Sequence, residues 1–206
     1  MRVQATRALA DANSALSVAS SPNEVAKSCS TVITMLPNDK ILNAVCVDQD
    51  FVRTLAESHE TSLHISCSTI SPHTSRSLSA LHQSFSPGSK YVASPVFARP
   101  DGLALKQASF PMSSACLAAL EEATALMSPS NGKVFKFGED TLDPGAGNVT
   151  KICGNFLIAA AIESMAETFA LAEANGVDRV AVKDMVSAPN PNRVGLNRGG
   201  LLPLRC

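Results

Sequence analysis

A chain of 206 residues is one large domain, or one domain with part of another, and 45% hydrophobic residues is enough for a packed core. Seventeen basic against eighteen acidic residues leave a net charge of -1 with no basic stripe, which gives no reason to expect nucleic acid as a partner. Lys151, Glu163 and Glu167 interrupt the longest apolar run short of the ~18 uncharged residues of a membrane helix, so no membrane is expected either.

Residues 3–12 read as the end of a helix and Ser14–Ser20, SALSVAS, as a short strand. The start is Arg-, Ala- and Ser-rich like a presequence, but Asp11 and the missing apolar core argue against targeting, so a cytoplasmic location is expected, with a mitochondrial one as the alternative. Ser21-Pro22-Asn23-Glu24 is a helix start, with Ser as N-cap, Pro at the first helical position and Glu three after the cap. Ser30–Leu36, STVITML, is continuously apolar and β-branched, as a strand covered on both faces should be, and Pro37 ends it. Asn38 or Asp39 then caps a helix to Val45, and another covers Phe51–Ser58. Strands follow at SLHISCS (Ser62–Ser68), Tyr91–Phe97, Ser109–Ser113 and Lys133–Phe137. Helices lie between them, from Ser71-Pro72 to Leu81 and from Ala115 to Met127. This alternation predicts an α/β fold with a doubly wound, mostly parallel sheet. The loops at Pro37, Ser68-Thr69 and Phe97-Ala98-Arg99 all fall at the carboxyl ends of strands, where such sheets bind ligands.

From Val149 to Ala174 there is one Gly, no Pro, and an excess of Ala, Leu, Ile, Met and Glu, with Asn175-Gly176 as a C-cap. The spacing predicts one long helix of roughly 39 Å. Its residues are apolar nearly all round, so neighbouring helices or a second subunit should cover it. Lys151 and Asn155 share one face. Lys151 either snorkels to solvent or forms a site, because a Lys near a helix N-terminus and out of water is easier to deprotonate. A second helix, Arg179–Ser187, should pack back on it, and the Pro-, Asn- and Gly-rich tail 188–206 should be loose.

The six cysteines show no metal spacing and read as reduced small hydrophobes, and the four histidines form no triad or metal set and read as surface or strand-edge residues. No metal is expected. Gly145-Ala146-Gly147 opens a helix but lacks a third glycine, since Thr150 stands there, so it reads as a hinge and not as a dinucleotide loop.

Four segments in fixed order carry a resemblance: VITMLP (Val32–Pro37), STISP (Ser68–Pro72), YVASPV (Tyr91–Val96) and GAGNVTKICGNF (Gly145–Phe156). Together they resemble the β-hydroxyacid dehydrogenase family, which includes 3-hydroxyisobutyrate dehydrogenase, 6-phosphogluconate dehydrogenase and imine-reductase-like relatives. The last segment is the most specific, because two glycines, the Lys and the Asn recur at the family's spacing. The resemblance implies a Rossmann-type NAD(P)-binding domain over residues 1–143 and the start of an all-α dehydrogenase domain over 144–206. It implies NADP or NAD as cofactor, a small hydroxy acid or related carbonyl or imine as substrate, and a homodimer formed through the long helix. By the same likeness Lys151 is the general acid/base and Asn155 holds the same substrate oxygen; Leu36, Pro37 and Thr69 touch the cofactor, and Ser68, Phe97, Ala98 and Arg99 face substrate. The family's opening strand and GxGxxG turn are missing, and so is most of the helical domain. The expected sheet is therefore incomplete, and the alternative function is a truncated, non-catalytic cofactor-binding or dimerisation module.

Overall fold

The computed structural model describes residues 7–8, 10–128 and 132–188. The chain divides into two units, residues 1–154 and 155–206.

The first unit holds a five-stranded sheet in the order β1 (Thr31–Thr34), β2 (Ser62–Ser66), β3 (Ser89–Ala93), β4 (Ser109–Ser114) and β5 (Lys133–Lys136). Its pairings are parallel except β3 with β4, which run antiparallel, so the sheet is mostly parallel and flanked by helices, as an α/β Rossmann-like fold requires. The helices are α1 (Pro22–Ser28), α2 (Asp39–Asn43, continued by a π-helical turn over Ala44–Asp48), α3 (Phe51–Ser58), α4 (Pro72–Phe85), the short α5 (Pro100–Ala104) and α6 (Leu117–Met127). Both Ser-Pro starts form as expected. The Ser21 and Ser71 hydroxyls accept the N–H groups of Glu24 and Thr74, each capping a helix whose first residue is Pro.

Alternation along the central strands builds two cores. Tyr91 and Ala93 face Leu42, Phe51, Leu55 and Leu78 on one side. Leu63, Ile65 and Val92 face Phe110, Met112, Leu120 and Ala123 on the other. At the sheet edge Ile33 of β1 and Met35 just after it are exposed.

Several expectations are corrected. Ser14–Ser20 forms no strand, and Leu16 and Val18 lie exposed. The third strand stops at Ala93, two residues before Pro95, and Phe97 makes only an isolated antiparallel bridge to Ser109. The glycines opening the long helix α7 (Ala146–Ala174) are close-approach points and not a hinge. A Cβ on Gly145 would sit 2.9 Å from the Pro72 carbonyl oxygen, and one on Gly147 would sit 2.5 Å from that of Pro111.

In the second unit α7 continues and α8 (Arg179–Ser187) follows at its expected place. Among the described residues neighbouring helices do not cover the apolar side chains of α7, the first of the two expected kinds of cover: Phe156, Leu157 and Ile162 are 71%, 60% and 58% exposed. By length and composition alone, α7 is long and apolar enough to cross a membrane. The tail from residue 189, expected to be loose, lies outside the described residues.

The histidines also depart from expectation. His64 and His82 are fully buried, because each finds partners far away in sequence. His64 Nδ1 lies 3.0 Å from His82 Nε2, Thr34 Oγ1 lies 2.9 Å from His64 Nε2, and Ser89 Oγ lies 2.8 Å from His82 Nδ1. Each neutral ring can donate once and accept once along this chain. Burial pushes both below the ordinary histidine value, His64 with help from the His82 charge and His82 down to about 4. The fold therefore keeps its full stability from this pair above pH 6.5 and loses it as pH falls through the depressed values, on the order of 3 kcal/mol for His82 alone at ~1.4 kcal/mol per pKa unit. The carboxylates held low, Glu24, Asp39 and Asp143, weaken only below ordinary values of 4.5 and 3.8, so the interval from pH 6.5 to 4.5 belongs to the histidines. Thermal melts across that interval are expected to shift steadily downward; a constant melting temperature would contradict this.

Candidate active site

The site is built on the first turns of α7. Gly147 N–H donates to Ser113 Oγ at 2.8 Å, and that hydroxyl donates to the Pro144 carbonyl at 2.9 Å, which joins the helix start to β4. Asn148 is 1% exposed. Its Oδ1 accepts the Ser75 hydroxyl at 2.7 Å, and its Nδ2 donates to the Ile70 carbonyl at 3.2 Å, which joins the same turn to α4 and to the loop after β2. Arg76 grips Asp143 with two bonds of 2.9 and 2.8 Å, and Asp143 Oδ1 accepts Gly145 N–H. Three separate segments thus fix the position of the turn that carries Lys151.

Lys151 is 8% exposed, so it does not snorkel. Its Nζ lies 4.3 Å from the centroid of the Phe97 ring, close enough for a cation–π contact that favours the ammonium. Burial opposes this and pushes the amine below the ordinary lysine value of 10.5. The ring reaches the helix because residue 154 is glycine; a Cβ there would fall 2.8 Å from two Phe97 ring carbons. Beside Lys151 opens a cavity of about 310 Å³ walled by Phe97, Pro111, Phe135, Phe137 and Thr150.

The other predicted residues divide. Pro37 and Thr69 stand exposed just after the ends of β1 and β2, and Leu36 is half-buried against the first core. Ser68, expected to face substrate, is fully buried and its hydroxyl accepts the Leu36 N–H at 2.8 Å, so it braces the loop after β1. Asp39 adds a second brace by accepting from Ser71 N–H and the Thr74 hydroxyl. Ala98 is half-buried against the second core. Arg99, also expected to face substrate, has an 88% exposed side chain 3.5 Å from Asp101, because Pro100 turns the chain into α5. Asn155 is exposed and belongs to the second unit. The structure therefore brings Lys151 and Phe97 together and leaves Arg99 in solvent. Sequence reading misses Asn148, Ser113, Phe135 and Phe137; only the position of Asn148, one helical turn before Lys151, could have signalled it.

The family model of the NAD binding domain of 6-phosphogluconate dehydrogenase matches residues 1–138. The chain is 32% identical over 185 residues to the uncharacterized oxidoreductase YfjR of Bacillus subtilis, covering 89% of this chain and 62% of that protein. It is 30% identical over 170 residues to the NAD-dependent L-serine dehydrogenase of Pseudomonas aeruginosa, covering 82% and 54%. Among solved structures, the 3-hydroxyisobutyrate dehydrogenase of Mycobacterium tuberculosis superimposes with a TM-score of 0.69 at 28% identity, over 84% of this chain and 55% of that one. The chain thus spans a little over half the length of these relatives. The match of sequence over the whole sheet-bearing part, with the same fold, shows that the chain belongs to the family of the NAD binding domain of 6-phosphogluconate dehydrogenase.

Proposed function

We propose that this site exchanges a hydride between a nicotinamide cofactor and a small hydroxy acid, or the related carbonyl or imine, with Lys151 as general acid/base. The observation that supports this reading is the buried Lys151 amine beside an open cavity, its pKa lowered by burial.

The residues present fit one half of a dinucleotide. Leu36 and Pro37 after β1, and the exposed Thr69 after β2, stand at the carboxyl ends of adjacent parallel strands, where a nicotinamide and its ribose would lie. Among the described residues no glycine-rich turn joins a strand to a helix N-terminus, so they supply no pyrophosphate cradle. When bound, the nicotinamide supplies a reversible hydride acceptor. In oxidation the neutral Lys151 amine takes the hydroxyl proton while the C–H electron pair leaves as hydride; the products are a C=O bond, a reduced nicotinamide and an ammonium. In reduction the ammonium returns that proton to the oxygen. Ser68 and Asp39 keep the loops after β1 and β2 in register, and Asn148 holds the lysine's turn.

A second reading, a non-catalytic dimerisation module, is favoured by the exposed Phe156, Leu157 and Ile162 of α7, whose apolar surface a second copy of the chain would cover. One experiment separates the two: titration of the 206-residue chain with NADH and NADPH, with thermal melts at several protein concentrations. Saturable binding that raises the melting temperature is expected for the oxidoreductase. A concentration-dependent melt without any nucleotide effect would favour the module and overturn the first reading.

A further inference from the structure

An amine withdrawn from water beside an open cavity is a nucleophile as well as a base. Lys151 is 8% exposed and forms part of the lining of the cavity of about 310 Å³, where Phe97, Pro111, Phe135 and Phe137 present carbon. Burial favours its neutral form, the one with a lone pair to give. A cavity of ~150 Å³ holds a benzene ring, so this one has room for a small molecule with a carbonyl group. The carbon electrophile that suits a neutral amine in a small apolar space is an aldehyde, which carries no charge to desolvate.

The step balances without a further reactant. The Nζ lone pair forms a bond to the carbonyl carbon, the C=O π pair moves to oxygen, and the oxygen takes up a proton released by nitrogen. The nitrogen lone pair then expels that oxygen as water, with a second proton from nitrogen, and an iminium is left. One ammonium and one aldehyde thus give one iminium and one water, with nothing oxidised. Ser109 and Thr150 bring hydroxyls to the same lining, and a hydroxyl can both accept and donate the protons that move. The adduct keeps the positive charge. Nζ lies 4.3 Å from the Phe97 ring centroid, so the ring that attracts the ammonium also attracts the iminium. The apolar walls hold back the water that would hydrolyse it.

We propose that Lys151 condenses reversibly with small aldehydes that enter this cavity, and that the adduct takes the lysine out of service as an acid or base. This goes beyond proton exchange and needs no nucleotide.

The test is incubation of the 206-residue chain with propanal and sodium cyanoborohydride at near-neutral pH, with the propylated lysines followed over time by peptide mass mapping. Cyanoborohydride delivers hydride to the iminium carbon and fixes the adduct as a secondary amine. Lys27, Lys40, Lys106, Lys133 and Lys183 are exposed and serve as internal references. If accessibility alone decided the rate, buried Lys151 would be the slowest. It is expected instead to lead them at least tenfold in the native chain and to lose that lead in urea. Native labelling of Lys151 no faster than that of the exposed lysines would overturn the proposal, and so would a lead that survives in urea. Dilution without cyanoborohydride is expected to return unmodified chain, and an adduct that persisted would overturn reversibility. Because no nucleotide is present, the result is independent of hydride transfer. If Lys151 proves dispensable for turnover, the oxidoreductase reading fails while the condensation still stands or falls on the labelling.

Discussion

Replacing Lys151 with methionine is expected to slow hydride exchange roughly 10²–10⁴-fold, the usual contribution of a positioned acid/base, while nucleotide affinity stays within a few-fold. Methionine has a similar length and would lie over the Phe97 ring, so the cavity keeps its wall and the fold loses only a partly desolvated cation. The measurement is the nicotinamide absorbance change in a single turnover, followed against pH. If Lys151 is the base, the native rate in the oxidation direction is expected to rise with pH as the amine loses its proton. Burial places that rise below the ~10.4 of an unperturbed lysine. The methionine variant should show no such limb. An unchanged rate, or the same pH limb in the variant, would remove Lys151 from the chemistry.

The second large effect is expected at Asn148. Leucine has nearly the same shape but leaves the Ile70 carbonyl without the Asn148 donor, while the Ser75 hydroxyl keeps the Tyr91 hydroxyl at 3.2 Å. An unpaired buried polar group costs roughly 1–3 kcal/mol, so Asn148→Leu should destabilise the chain by about that amount. At about 2–4 °C per kcal/mol for a chain of this size, the melting temperature should drop by roughly 2–12 °C. An alanine control, which leaves room for water, should fall less. If the leucine variant melts with the native protein, the helix start is held by Ser113 and the Arg76–Asp143 pair alone.

Where local chemistry decides structure, the sequence is readable. The Ser-Pro caps at 21 and 71, the β-branched run of β1 and the uninterrupted composition of α7 each contain their own cause within a few residues. What is not readable depends on distant partners. Nothing near His64 reveals that His82 and Thr34 will receive its ring nitrogens. Nothing around Ser109 reveals that β4 will run against β3, since an antiparallel strand and a parallel one have the same apolar pattern here. The two readings of Lys151 could not be separated without knowing where the ring 54 positions earlier would lie. The positions of Ser68 and Arg99 are hidden for the same reason: the Ser68 hydroxyl accepts the N–H of Leu36, 32 positions earlier, and the Arg99 side chain lies in solvent beside Asp101.

The contact between Phe97 and the bare backbone at Gly154 ties two distant stretches of chain into one steric unit. Neither position can vary alone: a methyl group at 154 evicts the ring, and the evicted ring uncovers the amine it now shields. Variants at this pair will therefore be non-additive, with a smaller residue at 97 rescuing a larger one at 154. Any redesign of the cavity has to treat the two as a single choice.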